Sequence, residues 1–132
     1  MFLPMSKTKI IGINIEAKNW FRHDLSTDSN ASFIHNYQIN IVNNTKYTVQ
    51  LLTREWYVLH LLHGISEVSG KGVVGQQPVL IPGERFEYTS GCELISSIGS
   101  MKGVFHFLNR DTNKLFHVQI PEFNLIYPPL LN

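Results

Sequence analysis

From Ile11 to Tyr127 apolar residues recur at every second position in one segment after another, and no stretch of adequate length carries the 3.6-residue period of a helix. A period of two puts successive side chains on opposite faces of an extended strand, so each segment offers one face to an interior and one to water. Ile11, Ile13, Ile15 and Ala17, set against Gly12, Asn14 and Glu16, predict a first strand. Phe33, His35, Tyr37, Ile39 and Ile41 predict a second that stops at Asn43-Asn44. Residues 49 to about 62 predict a longer third, with Gln50, Leu52, Arg54, Trp56 and Val58 on one face and Leu51, Thr53, Glu55 and Tyr57 on the other. Residues 65–69, 79–81 and 86–90 follow as shorter strands; residues 101–108 and 115–120 form a hairpin, and residues 123–127 close the series.

The spacers have turn chemistry. Residues 23–32 are rich in Asp, Ser, Thr and Asn, and Pro82-Gly83 places Pro and Gly where a type II turn wants them. Many short strands at near-regular spacing predict an all-β fold, an immunoglobulin or fibronectin type III like sandwich of two antiparallel sheets with seven to nine strands. A chain of 132 residues buries roughly two thirds of its surface, enough for one core without staples, so one domain with a core over about residues 10–127 and a short flexible N-terminus is expected. Hairpin register follows from the same alternation. Facing Phe107 with Phe116 and Phe105 with Val118 sets His106 directly across from His117 and leaves residues 110–113 as the loop.

Charge and cysteine use narrow the function classes. Eleven Lys and Arg against ten Asp and Glu are scattered along the chain, which offers no basic stripe to nucleic acid. No apolar run reaches membrane-spanning length, and the proline-broken start is unlike a signal peptide. The sole cysteine, Cys92, excludes an internal disulfide framework and fits a reducing cytoplasm.

Four blocks resemble the bacterial ApaG family. They are residues 49–56 (Val-Gln-Leu-Leu-Thr-Arg-Glu-Trp), residues 70–78 (Gly-Lys-Gly-Val-Val-Gly-Gln-Gln-Pro), residues 82–91 (Pro-Gly-Glu-Arg-Phe-Glu-Tyr-Thr-Ser-Gly), and residues 99–103 with 120–123. The resemblance covers about residues 10–127. It implies a fibronectin type III like sandwich, an association with cobalt and magnesium handling, no enzymatic activity, and a protein-interaction role of the kind the domain has in eukaryotic F-box relatives. This chain departs from the family pattern in carrying Glu55 where His usually precedes the Trp, Gln76 where Glu is frequent, and His60-Leu61-Leu62-His63-Gly64 in place of an Asp/Gly turn. The last departure makes an unusually apolar hairpin tip, where Leu61 and Leu62 either cover the end of the core or meet a partner.

Chemistry-bearing residues are few. Gly70-x-Gly72-x-x-Gly75 has the letters of a dinucleotide fingerprint, but Pro78 and Val79 stand where its helix would begin. Two readings remain for Gly70, Lys71, Gly72 and Gly75: an anion nest of backbone N–H groups for phosphate, pyrophosphate or a nucleotide, with or without a divalent cation, or a crossover loop whose glycines supply positive φ. Arg54 shares a face with Trp56 and needs a carboxylate such as Glu67 or Glu87, backbone carbonyls, or an aromatic face; an anion site is the alternative to a structural role. His60 with His63 and His106 with His117 are candidate metal pairs, each short of the three or four ligands that a zinc-like ion expects. Cys92 lacks a neighbouring base, and no triad or paired-carboxylate spacing exists, so no catalytic residue and no cofactor is expected. The reading is a non-enzymatic ApaG-type binding domain for a protein partner, a second copy paired through an edge strand included, with phosphate binding at the glycine loop as the alternative.

Overall fold

The computed structural model describes residues 12–27 and 31–131; Ile11 and the expected flexible N-terminus lie outside the described residues. Eight strands form: β1 (Ile13–Phe21), β2 (Phe33–Asn43), β3 (Val49–His60), β4 (Gly64–Lys71), β5 (Val79–Leu80), β6 (Arg85–Leu94), β7 (Ile98–Asn109) and β8 (Lys114–Ile126), followed by a 3-10 turn at Pro128–Leu131. They make two antiparallel sheets, β1-β2-β6 and β4-β3-β7-β8, with the short β5 also against β3. This is the all-β, immunoglobulin or fibronectin type III like sandwich expected from the alternation. In β2 the alternation is complete: every odd residue from Phe33 to Asn43 is buried and every even one is half-buried.

In β3 the alternation breaks. One extra residue, Leu52, bulges out between Leu51, which faces Phe107, and Thr53, which faces His106. A bulge shifts the parity of everything beyond it. Val49 and Leu51 therefore fill the core before it, and Trp56, Val58 and His60 fill it afterwards. The expected face of Gln50, Leu52, Arg54, Trp56 and Val58 is corrected accordingly: Gln50 and Leu52 are not core residues.

Trp56 is 2% exposed. Its ring packs at 5.2 Å from Tyr37 of the opposite sheet and edge-on to Phe105 and Phe123 at 6.4 and 6.0 Å. Edge-on and tilted contacts of this kind suit the aromatic quadrupole. Its cross-strand neighbour is Gly103, where a Cβ would collide with the Glu55 carbonyl and lie 3.0 Å from the indole.

The β7–β8 hairpin has the expected register: Phe105 opposes Val118, His106 opposes His117, and Phe107 stacks on Phe116 at 5.3 Å. Residues 123–127 are not a separate strand, because β8 runs through to Ile126 with a register shift near Pro121. Proline has no N–H for the ladder and is tolerated at such an irregularity on an edge strand. Pro82 and Gly83 form the expected turn, with Gly83 at φ +88° and the Glu84 N–H donating to the Ile81 carbonyl at 3.0 Å. A buried amide fixes this end of the molecule. Asn43 donates through Nδ2 to the Tyr47 and Leu80 carbonyls at 2.8 and 2.9 Å, and its Oδ1 accepts from the Thr45 N–H and hydroxyl at 3.0 and 2.6 Å.

Trp56→Ala is expected to cost about 3 to 5 kcal/mol in urea unfolding, since it empties the contact between the sheets. Gly103→Ala adds a single methyl group, yet it should also lower the urea midpoint by forcing β3 and β7 apart; unchanged midpoints would contradict this packing.

Candidate functional site

The glycine loop is built onto the bulge. The Leu52 carbonyl, displaced from the ladder, accepts from the Gly72 N–H at 2.7 Å and from Gln77 Nε2 at 2.8 Å, and the Leu51 N–H donates to the Pro78 carbonyl at 3.0 Å. Within the loop Val73 and Gln76 exchange both backbone hydrogen bonds, at 2.7 and 2.8 Å, around Val74 and Gly75 at φ +41° and +80°. Two positive φ values at the central positions mark a type I′ turn. Gly72 itself stands at φ +60°, and a Cβ there would strike the Gln76 carbonyl. The N–H groups of Gly72 and Val73 donate to the Leu52 and Gln76 carbonyls, and Gly70 and Lys71 stand opposite Arg54 and Thr53 of β3.

What the loop presents is carbonyl oxygen, and Arg54 takes it. Arg54 Nη1 donates to the Lys71 and Gly72 carbonyls at 3.1 and 2.8 Å. Of the three kinds of partner expected for Arg54, a carboxylate, backbone carbonyls or an aromatic face, the backbone carbonyls hold it, because the loop lays two acceptors within reach. Gly70 lies directly across from Arg54, and a Cβ there would come within 2.9 Å of Nη1. The missing side chain is the space the guanidinium occupies. Nε and Nη2 have no partner among the described residues.

Arg54 opens on a cavity of about 310 Å³ between the sheets. β1 runs against β8 on one side of the sandwich, joined by Asn19 Nδ2 donating to the Asn124 carbonyl at 2.7 Å. On the other side the edges β4 and β6 do not pair, and the seam between them is this cavity. Two of its lining groups are buried without a hydrogen-bond partner: Trp56 Nε1 and the Tyr88 hydroxyl. An unsatisfied buried donor costs about 1 to 3 kcal/mol. Burial raises the Tyr88 pKa, and so does Tyr37, while the Arg54 charge pulls against both; the phenol and the guanidinium thus share one electrostatic environment. The sequence singled out Arg54 and Trp56 but not Tyr88, which reads as an ordinary alternating strand residue until β6 is set opposite β3.

The histidines separate. His60 is buried; its Nδ1 accepts from the Ile95 N–H at 3.2 Å, which places the ring proton on Nε2, donating to Ser66 Oγ at 3.0 Å. His63 lies in the exposed turn beyond it, so the two are not brought together as a pair. His106 and His117 are paired across β7 and β8, with ring centroids 6.1 Å apart. Glu55 hydrogen-bonds His106 Nε2 and accepts from the Tyr57 hydroxyl at 3.0 Å. Those two bonds, His106 first, hold the Glu55 carboxyl below its usual range. Among the described residues no group of three or more His, Cys, Asp or Glu is placed to hold a metal ion.

Cys92 opposes His35 across β2 and β6. Burial pushes the Cys92 thiol up to about 11 and the His35 imidazole down. Both changes favour the neutral forms, the reverse of a thiolate–imidazolium nucleophile. At the far end of β3, Leu61 is exposed and Leu62 is 93% exposed at φ +68°, a conformation that branched side chains rarely adopt. Beside them β4 is exposed over almost its whole length, with Ile65 66% exposed against Leu59.

Because burial keeps Cys92 protonated at neutral pH, iodoacetamide should modify it slowly in the folded protein, quickly in urea, and faster in the folded state only as pH approaches about 11. Mass spectrometry over a pH series checks this; rapid native labelling near neutral pH would contradict it.

No helix among the described residues is long and apolar enough to cross a membrane. Residues 23–109 match the ApaG domain family model. Protein ApaG of Acidithiobacillus ferrooxidans is 42% identical over 113 residues, covering 86% of this chain and 88% of that one. Protein ApaG of Thiobacillus denitrificans is 37% identical over 128 residues, covering 97% and 100%. A crystal structure of a Bordetella pertussis protein described as ApaA superposes with a TM-score of 0.84 at 36% identity, covering 88% of this chain and 94% of that one. The chain belongs to the ApaG domain family.

Proposed function

We propose that the chain is a non-enzymatic binding domain that docks a protein segment, in extended form, along the free edge of β4. The exposed apolar corner at the end of that edge carries the reading. Leu59 and Ile65 form a cross-strand pair on the outer face, and the turn beyond them holds Leu61 and Leu62 in water. A free edge supplies a row of unpaired backbone donors and acceptors, and alternate side chains beside it supply specificity. Edge strands that must stay unpaired are usually protected by proline, a bulge or several charges; β4 has Glu67 and a terminal Lys71 only. The strained φ of an exposed leucine supports the same reading, since such strain collects at functional positions.

The neutral Cys92–His35 pair supports the non-enzymatic part of the reading. The cobalt and magnesium association belongs, on this reading, to the partner, because a transition ion expects three or four protein ligands and His106 with His117 supplies two.

A photo-crosslinking residue placed at Glu67 in the full chain, with one at Lys18 on the other sheet as control, tests the docking. The expected result is a discrete product from position 67, rebuilt from the purified partner identified in it and lost in Ile65→Asp and in Leu61→Ser/Leu62→Ser, whose melting temperatures stay near wild type. A product joining two copies of the chain would identify the partner as self. Equal labelling from position 18, or labelling indifferent to those substitutions, would overturn the proposal.

A further inference from the structure

We propose that the seam between β4 and β6 is a binding site for a small carboxylate with an apolar body. Arg54, whose Nε and Nη2 have no partner among the described residues, lines the same cavity as Trp56 and Tyr88, whose indole N–H and hydroxyl are buried without partners. Tyr88 is 7% exposed and Trp56 is 2% exposed, so water satisfies neither group freely. These groups donate, and Glu93, the carboxylate of the same wall, already accepts from the Ser32 hydroxyl at 2.6 Å, so the unspent donors call for a ligand made of acceptors.

Charge selects among such ligands. Arg54 is the one cationic side chain lining the cavity, and Glu93 contributes a carboxylate to the same wall. One positive charge with a negative neighbour suits a monoanion and opposes the stacked charge of pyrophosphate or a nucleotide. Geometry selects further. With Nη1 fixed on the Lys71 and Gly72 carbonyls, the guanidinium cannot turn away, and its Nε–Nη2 edge is the fork that accepts a carboxylate through two parallel bonds. Val58, Val68 and Met101 give the wall an apolar side for the hydrocarbon part of the ligand, beside the hydroxyls of Ser66 and Ser90. At about 310 Å³ the cavity stands at the small end of ligand pockets, the size of an aromatic or branched-chain acid or of one carboxyl-terminal residue of a peptide. The site lies behind the free edge of β4, and its readout is the Trp56 indole rather than a crosslink from position 67, so failure here and failure of strand docking are told apart.

The two tryptophans supply the readout. The Trp56 indole N–H lines the cavity, while Trp20 is on β1 and half exposed, so in a proton–nitrogen correlation spectrum of the full chain one indole reports and the other is its control. Phenylacetate should shift the Trp56 indole with a Kd of about 1 mM or tighter and leave Trp20 in place. Neutral phenylacetamide should not. Arg54→Lys, which keeps the charge and loses the fork, should weaken binding by about tenfold. Tyr88→Phe, which keeps the ring, should weaken it severalfold; both variants are first checked for native spectra. A tripeptide ending in Phe, compared with its carboxyl-terminal amide, separates the sources: binding of the free-acid peptide alone assigns the site to peptide carboxyl termini, and binding of phenylacetate assigns it to free acids. No Trp56 shift with either acid, equal shifts with phenylacetamide, or tighter binding of pyrophosphate would overturn the assignment.

Discussion

The carbonyl of Leu52 organises the centre of this molecule. A residue bulged out of a ladder leaves its backbone groups in need of partners. Gly72 and Gln77 answer that need and so pin the crossover loop onto β3. The pinned loop turns its own carbonyls, those of Lys71 and Gly72, toward Arg54. The guanidinium is held in turn at the mouth of the seam. The glycine-spaced segment that resembles a phosphate loop is therefore a latch between β4 and β5, with the Gly72, Val73 and Gln76 N–H groups spent on carbonyls.

The same bulge sorts the core. Before it, Val49 and Leu51 pack with Phe107; beyond it, Trp56 and Val58 take over inside and Glu55 and Tyr57 remain outside with His106. Without the extra residue Trp56 and Arg54 would face water and Glu55 would face the aromatic cluster. One residue of insertion thus exchanges a buried carboxylate, which would be costly, for a buried indole.

Much of this was legible in the residues themselves. The β7–β8 register follows from the alternation of Phe105, Phe107, Phe116 and Val118, since a slip by one residue would expose all four. The Pro82–Gly83 turn follows from the φ each residue prefers. The bulge was not legible, because Leu51 and Leu52 are the same side chain and either satisfies an inward position. The partners of Arg54 were legible only as alternatives: backbone carbonyls have no sequence signature, and carboxylates at Glu67 and Glu87 looked equally able to serve. Tyr88 became part of the site only when the sheets were stacked, because Arg54 and Trp56 are more than thirty positions away in the chain.

The asymmetry of the two sides has a mechanical meaning. Along β1 and β8 the sheets are tied side to side, and across the middle the Trp56 cluster holds them together. The edges β4 and β6 do not pair with each other, and side chains line a void between them. The sandwich is thus bound like a book, with a spine on one side and free pages on the other. A small rotation of one sheet about that spine changes the width of the seam without breaking a backbone hydrogen bond in either sheet. The stiffness of the opening is then set by aromatic packing at its back wall, and the volume offered between β4 and β6 is an adjustable quantity of the fold.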